Sequence, residues 1–146
     1  MNMTADAKPL PEPTALAQPF WTALKRRELR LQRCTACGNF RHPPKIVCPR
    51  CHDRKFSWDR VEPVGTLYSF TIVHRAPIPA FQADVPYAVG LVDIAGTGVR
   101  LLSTLEVALE RIAVGMALEV RFDDVDGFTL FRFKVPGAGA GAEARP

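Results

Sequence analysis

The chain has 146 residues, 47% of them hydrophobic and 23% charged, with a formal net charge of +4. That size holds one modest core plus at most one small satellite module, and the balance excludes a large multi-domain enzyme, a fibre and a wholly disordered chain. No apolar run approaches the roughly 18 residues of a spanning helix, and the opening Met1-Asn2-Met3-Thr4-Ala5-Asp6 lacks the basic-then-apolar order of a secretory signal, so no membrane and a cytoplasmic location are expected.

Residues 1–13 are polar and punctuated by prolines, and are expected to be flexible. Residues 14–30 read as an amphipathic helix. Leu16, Phe20, Trp21 and Leu24 recur at spacings of one to four, Thr14 stands as the N-cap, and basic residues gather toward the far end, where they complement the helix dipole. Leu29 and Leu31 then alternate with Arg30 and Gln32, the period of a short strand leading into Cys34.

Residues 31–60 hold the cysteines, and residues 61–136 read as a run of β-strands. Val64 to His74 is rich in β-branched and aromatic residues, and Pro77 and Pro79 break the segment that follows. Pro86 to Ile94, Val99 to Val107, Met116 to Phe122 and Phe128 to Val135 supply four more strands, with a turn of helix over Leu109 to Val114 and a glycine-closed turn at Asp123 to Gly127. Five strands with a helical insert before the fourth predict a small Greek-key barrel of the OB type; an open five-stranded sandwich is the competing arrangement. The closing 137–146 stretch alternates glycine and alanine with nothing to bury, and is expected to be a disordered tail.

Charge is polarised along this order. From Pro19 to Arg60 eleven bases meet three acids, a net of +8, whereas from Val61 to Pro136 six bases meet nine acids, a net of −3. A first half of that sign attracts an anionic partner: nucleic acid, a phosphorylated cofactor or an acidic protein face.

Cys34-Thr35-Ala36-Cys37 and Cys48-Pro49-Arg50-Cys51 form two Cys-x-x-Cys pairs separated by ten residues. Each pair can turn both sulfurs toward one centre, and two such knuckles complete a tetrahedral thiolate site, most simply for zinc, although iron takes the same ligands. Gly38 eases the turn after Cys37. Four thiolates leave no open coordination position, so the role is structural. His42 and His52 read as surface residues, because the sulfurs already saturate an ion. The segment from Leu31 to Trp58 has too few large apolar residues for its own core, and structural zinc contributes on the order of 10 to 16 kcal/mol in such peptides.

With every cysteine committed, no thiol remains for covalent catalysis. No Gly-x-Ser-x-Gly elbow, glycine-rich phosphate loop or His-Glu-x-x-His helix occurs, and the three histidines define no triad, so no catalytic residue is assigned.

Order and spacing together resemble a family of bacterial and archaeal proteins that accompany thiolase-like enzymes acting on acyl-CoA. The resemblance rests on Phe20-Trp21, the Leu29-x-Leu31-x-x-Cys34-x-x-Cys37-Gly38 entry, Pro43-Pro44, Cys48-Pro49-x-Cys51, the Gly65-Thr66-Leu67-Tyr68-Ser69-Phe70-Thr71 strand, Pro86-Tyr87 and Gly115-Met116. It implies a mainly β chain with an N-terminal helix, a rubredoxin-like zinc ribbon and a five-stranded OB-fold barrel. It further implies a non-catalytic subunit that docks on a thiolase-like partner in a hetero-oligomer and helps bind or channel the CoA thioester.

On that reading Arg41 and Lys45 are candidates for the CoA phosphates. His74, Arg75, Phe81 and Tyr87, around the proline loop, are candidates for the pantetheine and acyl groove. Leu16, Phe20, Trp21 and Leu24 either cover the barrel or form a partner-binding face. The rival function is a nucleic-acid-binding module with the same two folds. An acidic barrel argues against it, since a single-strand groove wants basic residues on its own strands.

Overall fold

A computed structural model of the chain describes residues 7–137. Helix α1 spans Gln18–Lys25, and three strands follow: β1 (Leu29–Cys34), β2 (Phe40–Arg41) and β3 (Phe56–Val61). They form an antiparallel sheet in the order β2-β1-β3, in which Leu29 faces Val61 and Cys34 faces Phe56. Strands β4 (Val64–Val73), β5 (Tyr87–Ile94), β6 (Arg100–Glu106), β7 (Ala117–Val125) and β8 (Phe128–Lys134) close into a barrel ordered β4-β5-β6-β8-β7. All contacts around the barrel are antiparallel except β6 with β8, where Leu105 lies beside Phe133. Closure leaves no continuous open edge of the kind a flat sandwich would present. Short 3₁₀ turns at Pro79–Phe81 and Leu109–Arg111 occupy the two long connections.

The alternation that announced the barrel strands is the alternation the barrel uses. Along β5, Ala88, Val92 and Ile94 point inward, joined by Leu67, Leu101, Leu105, Leu118, Val120 and Phe133 from the other strands. Gly90 also faces this interior, because a Cβ there would meet Leu105 and Leu67 methyls at 2.7 and 2.8 Å.

The helix is shorter than the predicted 14–30. Thr14 caps a preceding turn, its carbonyl and Oγ1 accepting the Ala17 N–H at 2.9 and 3.3 Å, and regular helix begins at Gln18 with Pro19 in its first turn. It ends because Arg27 adopts φ +60, after which the Glu28 N–H donates to the Ala23 carbonyl at 3.0 Å and the chain enters β1. The basic cluster of this segment thus lies at and beyond the helix end.

One face of α1 is part of the core. Phe20 is 2% exposed and Leu24 fully buried, and Phe20 meets Phe131 of β8 edge-on at 5.9 Å between ring centroids. Trp21 stands edge-on to Phe128 at 6.4 Å. Burying side chains of this size stabilises by about 1.5–3 kcal/mol each, so the helix is fastened to β1 and β8 chiefly by its aromatic stripe.

The alternating pattern of β1 breaks at Gln32, and Arg33 and Cys34 follow in the opposite phase, exposed and buried. Gln32, expected on the solvent side, is fully buried, since β2 and the chain leading to Cys48 cover that face of the ribbon. Its Oε1 accepts from Arg41 Nε at 2.5 Å and from the Lys45 backbone N–H at 2.8 Å.

A candidate metal centre and the surfaces around it

The two Cys-x-x-Cys segments adopt the same fold. In the first, the Gly38 N–H donates to the Cys34 carbonyl at 2.9 Å and the Cys34 N–H to the Asn39 carbonyl at 2.9 Å. In the second, the His52 N–H donates to the Cys48 carbonyl at 3.0 Å and the Cys48 N–H to the Asp53 carbonyl at 2.9 Å. Each knuckle therefore bends through a residue of positive φ directly after its second cysteine, and the four Sγ atoms converge to within 4.8 Å of one another.

The spacing identifies the chemistry. Cys34 and Cys51 sulfurs lie 3.5 Å apart, and those of Cys37 and Cys48 lie 3.7 Å apart. A disulfide bond is about 2.05 Å, so no bridge is formed. A tetrahedron with metal–sulfur bonds of about 2.3 Å has edges of about 3.8 Å, close to these two separations. Cys34 and Cys48 are buried, Cys37 is half-buried and Cys51 is exposed, so the site reaches the surface through its second cysteines.

The sulfurs also call for a cation. The Cys51 backbone N–H, with that of Arg50 and the Cys37 side chain, draws the Cys48 thiol down to about 6, and the Cys37 N–H lowers Cys34 in the same way. At Cys51 the Asp53 N–H favours the thiolate, but crowding by Cys37, burial and the remaining sulfurs outweigh it and push the thiol up to about 12. Four thiolates cannot share this volume as free anions; a divalent cation removes the conflict. The residues fit a structural zinc ion held by Cys34, Cys37, Cys48 and Cys51, with no ligand position left for substrate.

The histidines take other roles. His42 is half-buried, its ring 4.8 Å from Phe20 by centroids, and burial pushes its pKa down; it is not the surface residue the sequence suggested. His52 is exposed and contributes its backbone conformation.

The residues predicted for a CoA ligand fall into two groups on different parts of the fold. Arg41 is 5% exposed, a correction to its reading as a surface phosphate fork. Its Nε and Nη2 are committed to Gln32 and to the Lys45 carbonyl at 3.1 Å, and its guanidinium stacks 5.5 Å from the Phe56 centroid. Lys45 is exposed beside it. His74 and Arg75 are exposed just past β4, Phe81 ends the 3₁₀ turn beneath the Lys8 ammonium at 5.6 Å, and Tyr87 begins β5 opposite Val73.

Among the four residues offered as a partner face, Phe20 and Leu24 are spent on the barrel, whereas Leu16 and Trp21 remain half-exposed. The sequence reasoning missed β2, β3, the buried Gln32 and the left-handed His52. Only the last had a signal, its place after the second cysteine, equivalent to Gly38.

Comparison with known proteins agrees with this geometry. The family model described as ChsH2, rubredoxin-like zinc ribbon domain, matches residues 21–57, and that described as ChsH2, C-terminal OB-fold domain, matches residues 58–123. A probable enoyl-CoA hydratase alpha subunit of Thermomonospora curvata is 40% identical over 80% of this chain, and the match spans only 37% of that relative's length. A DUF35 domain-containing scaffold protein of Methanothermobacter thermautotrophicus is 27% identical over 75% of this chain and 86% of its own. Among solved structures, a chain of an Ltp2-ChsH2(DUF35) aldolase superposes with a TM-score of 0.77 at 31% identity, covering 86% of this chain and 98% of that one. The chain belongs to the DUF35 family of ChsH2-type proteins, a rubredoxin-like zinc ribbon joined to an OB-fold barrel.

Proposed function

We propose that the chain is a non-catalytic accessory subunit of a thiolase-like acyl-CoA enzyme complex, docking on the catalytic partner and helping to bind or channel the CoA thioester. The observation that carries this reading is the sulfur cage. All four cysteines of the sequence point at one centre, which leaves the chain without a thiol nucleophile. Its resemblance to a chain of an aldolase assembly, and to a protein described as a scaffold, supports a role beside another polypeptide.

The half-exposed Leu16, in the turn before α1, and Trp21 of α1 are the docking residues, and His74, Arg75, Phe81 and Tyr87 are the residues offered to the thioester. The compartment proposed is the cytoplasm, where unmetallated thiols stay reduced. Nucleic-acid binding gains nothing from the barrel. On β6, β7 and β8, Arg121 bonds Glu106 at 2.7 Å, Arg132 bonds Asp123 at 3.1 Å and Lys134 bonds Glu119 at 3.1 Å, so the basic side chains of that face are neutralised within it.

The test is co-expression with a thiolase-like subunit encoded beside this chain, followed by native mass measurement and assay of thioester turnover with and without the chain. A stable hetero-oligomer whose activity falls when the chain is withheld is the expected result. Turnover of a thioester by the purified chain alone refutes the proposal.

A further inference from the structure

The connection between β4 and β5, residues 74–86, lies off the core. No residue in it is buried, and its backbone bonds are local: the Phe81 N–H donates to the Ile78 carbonyl at 3.0 Å, the Gln82 N–H to that of Pro79 at 3.0 Å and the Asp84 N–H to that of Phe81 at 3.1 Å. A connection of this length with little secondary structure of its own is typical of lids and binding loops. Pro77, Pro79 and Pro86 restrict its φ angles, so it can move as a unit about its two strand ends. Among the described residues, its one ion pair reaches the N-terminal arm. Lys8 Nζ lies 2.5 Å from Asp84 Oδ2 and 5.6 Å from the centre of the Phe81 ring, so a single ammonium holds both an anion and an aromatic face of the loop.

The arm is braced for that contact. Pro9, Pro11 and Pro13 alternate with Lys8, Leu10 and Glu12, a pattern that keeps the backbone extended. Its other end is seated against the helix and the ribbon, where Pro11 and Pro13 line a groove with Trp21, Pro43 and Pro44. The arm therefore runs from helix and ribbon to the barrel loop and meets that loop through Lys8. The Lys8 and Asp84 side chains are 46% and 41% exposed, and an ion pair so open to solvent is weak. A weak contact between two braced segments gives two states of similar energy, loop held and loop released.

We infer that the N-terminal arm is a latch: Lys8 holds the β4–β5 loop closed, and its release opens the loop and bares the face of Phe81. Ile78, on the same loop, is 48% exposed already, whereas Phe81 is half-buried with the ammonium on its ring. Because the contact is electrostatic, salt or a competing charge on another protein surface displaces it. The latch is a property of this chain alone. It bears on the proposed function through Phe81, one of the residues offered there to the thioester, whose access the arm controls.

The test uses the zinc-loaded full chain and times chymotryptic cleavage after Phe81, alongside amide exchange over the loop; both follow the population of the open form when opening is fast. Lys8→Met and Asp84→Asn are each expected to speed cleavage and loop exchange by about threefold to tenfold at an unchanged thermal midpoint, since the ion pair and the ring contact together amount to roughly one tenfold step in an equilibrium. Raising salt to about 1 M should bring the parent to the rate of the variants and leave the variants unmoved. The reversed pair, Lys8→Asp with Asp84→Lys, should return cleavage toward the slow parental rate, a rescue that general loosening by either substitution does not give. Cleavage of Lys8→Met at the parental rate, a parent indifferent to salt, or a reversed pair as fast as the single variants each overturns the latch. All of these are read without a partner, so they are separate from a failure to form the hetero-oligomer, which refutes the accessory-subunit reading instead.

Discussion

Gly38 and His52 occupy the same position in the two metal knuckles, with φ +73 and +62, each donating its N–H to the carbonyl of the first cysteine of its own pair. Glycine takes this left-handed conformation freely. Histidine tolerates it better than most residues, but its Cβ still carries a cost of about 1–2 kcal/mol. His52→Gly is therefore expected to stabilise the zinc-loaded ribbon by up to about 1 kcal/mol, and His52→Val to weaken it by about the same amount or more. Gly38→Ala is expected to cost about 1–2 kcal/mol through its φ of +73, since the new Cβ would meet only the Arg33 guanidinium, at a contact distance of 3.4 Å. Urea midpoints and zinc competition with a chromophoric chelator measure both changes.

The metal site was legible because its geometry is local: two-residue spacers dictate that paired sulfurs converge, whatever the remainder of the chain does. The five barrel strands were legible for a similar reason, since each buries one face and Ala88, Val92 and Ile94 declare it with period two. What escaped was non-local. Nothing within Phe56–Val61 says that it will pair with Leu29–Cys34 across the metal loop, and only that pairing, with β2 on the other side, buries Gln32. The helix was overextended because its apolar spacing continues past both ends, whereas its limits are set by Pro19 at one end and the left-handed Arg27 at the other. The gathering of Arg26, Arg30 and Arg60 around Glu28 was visible only as net charge, because it depends on that strand pairing.

Removing one sulfur should separate the two modules. Cys34→Ser or Cys51→Ser is expected to lower bound zinc from one equivalent and to unfold the ribbon, because the segment's own apolar contacts are worth far less than the roughly 10–16 kcal/mol that structural zinc supplies. The barrel strands supply most of the one core that Leu29, Leu31 and Val61 of the ribbon also join, and are expected to keep their pairing. Metal analysis alongside amide exchange would show protection lost at β1–β3 and kept at β5 and β6. Zinc lost with unchanged exchange across the ribbon would count against the structural role.

Two glycines of the barrel should respond differently to a single added methyl. At Gly65 a Cβ would collide with the backbone of Asp93, whose carbonyl oxygen and carbon border the position, and with Val92 Cγ1 at 2.8 Å. Backbone paired in a closed barrel cannot retreat. At Gly90 the obstacles are the methyls of Leu67 and Leu105, which can rotate away at the cost of overpacking, about 1–3 kcal/mol. Gly65→Ala should therefore prevent accumulation of folded protein, whereas Gly90→Ala should fold with a lowered melting temperature. Calorimetry of the two variants checks the order, and Gly65→Ala melting at or above Gly90→Ala would contradict the argument.

The exit of the helix is tied to the barrel by a two-pronged ion pair. Arg27 Nη1 and Nη2 donate to Asp124 Oδ1 and Oδ2 at 2.9 and 2.5 Å, and Thr129 Oγ1 adds a third bond to Oδ1 at 2.7 Å. The Arg27 bond, then that of Thr129, lowers the Asp124 pKa from 3.8 to about 2. A depressed carboxylate stabilises the folded state wherever it is ionised in both states, so the contribution is full above about pH 4 and disappears as pH falls through about 2. Asp124→Asn should accordingly be less stable than the parent at neutral pH, with the gap closing between those two limits. Both proteins lose zinc as their thiolates protonate, so the difference between their urea midpoints carries the signal. The pair is exposed and screened, so the gap should narrow at high salt. A gap that stays constant from pH 5 to pH 2 would show that Asp124 acts through packing instead of charge.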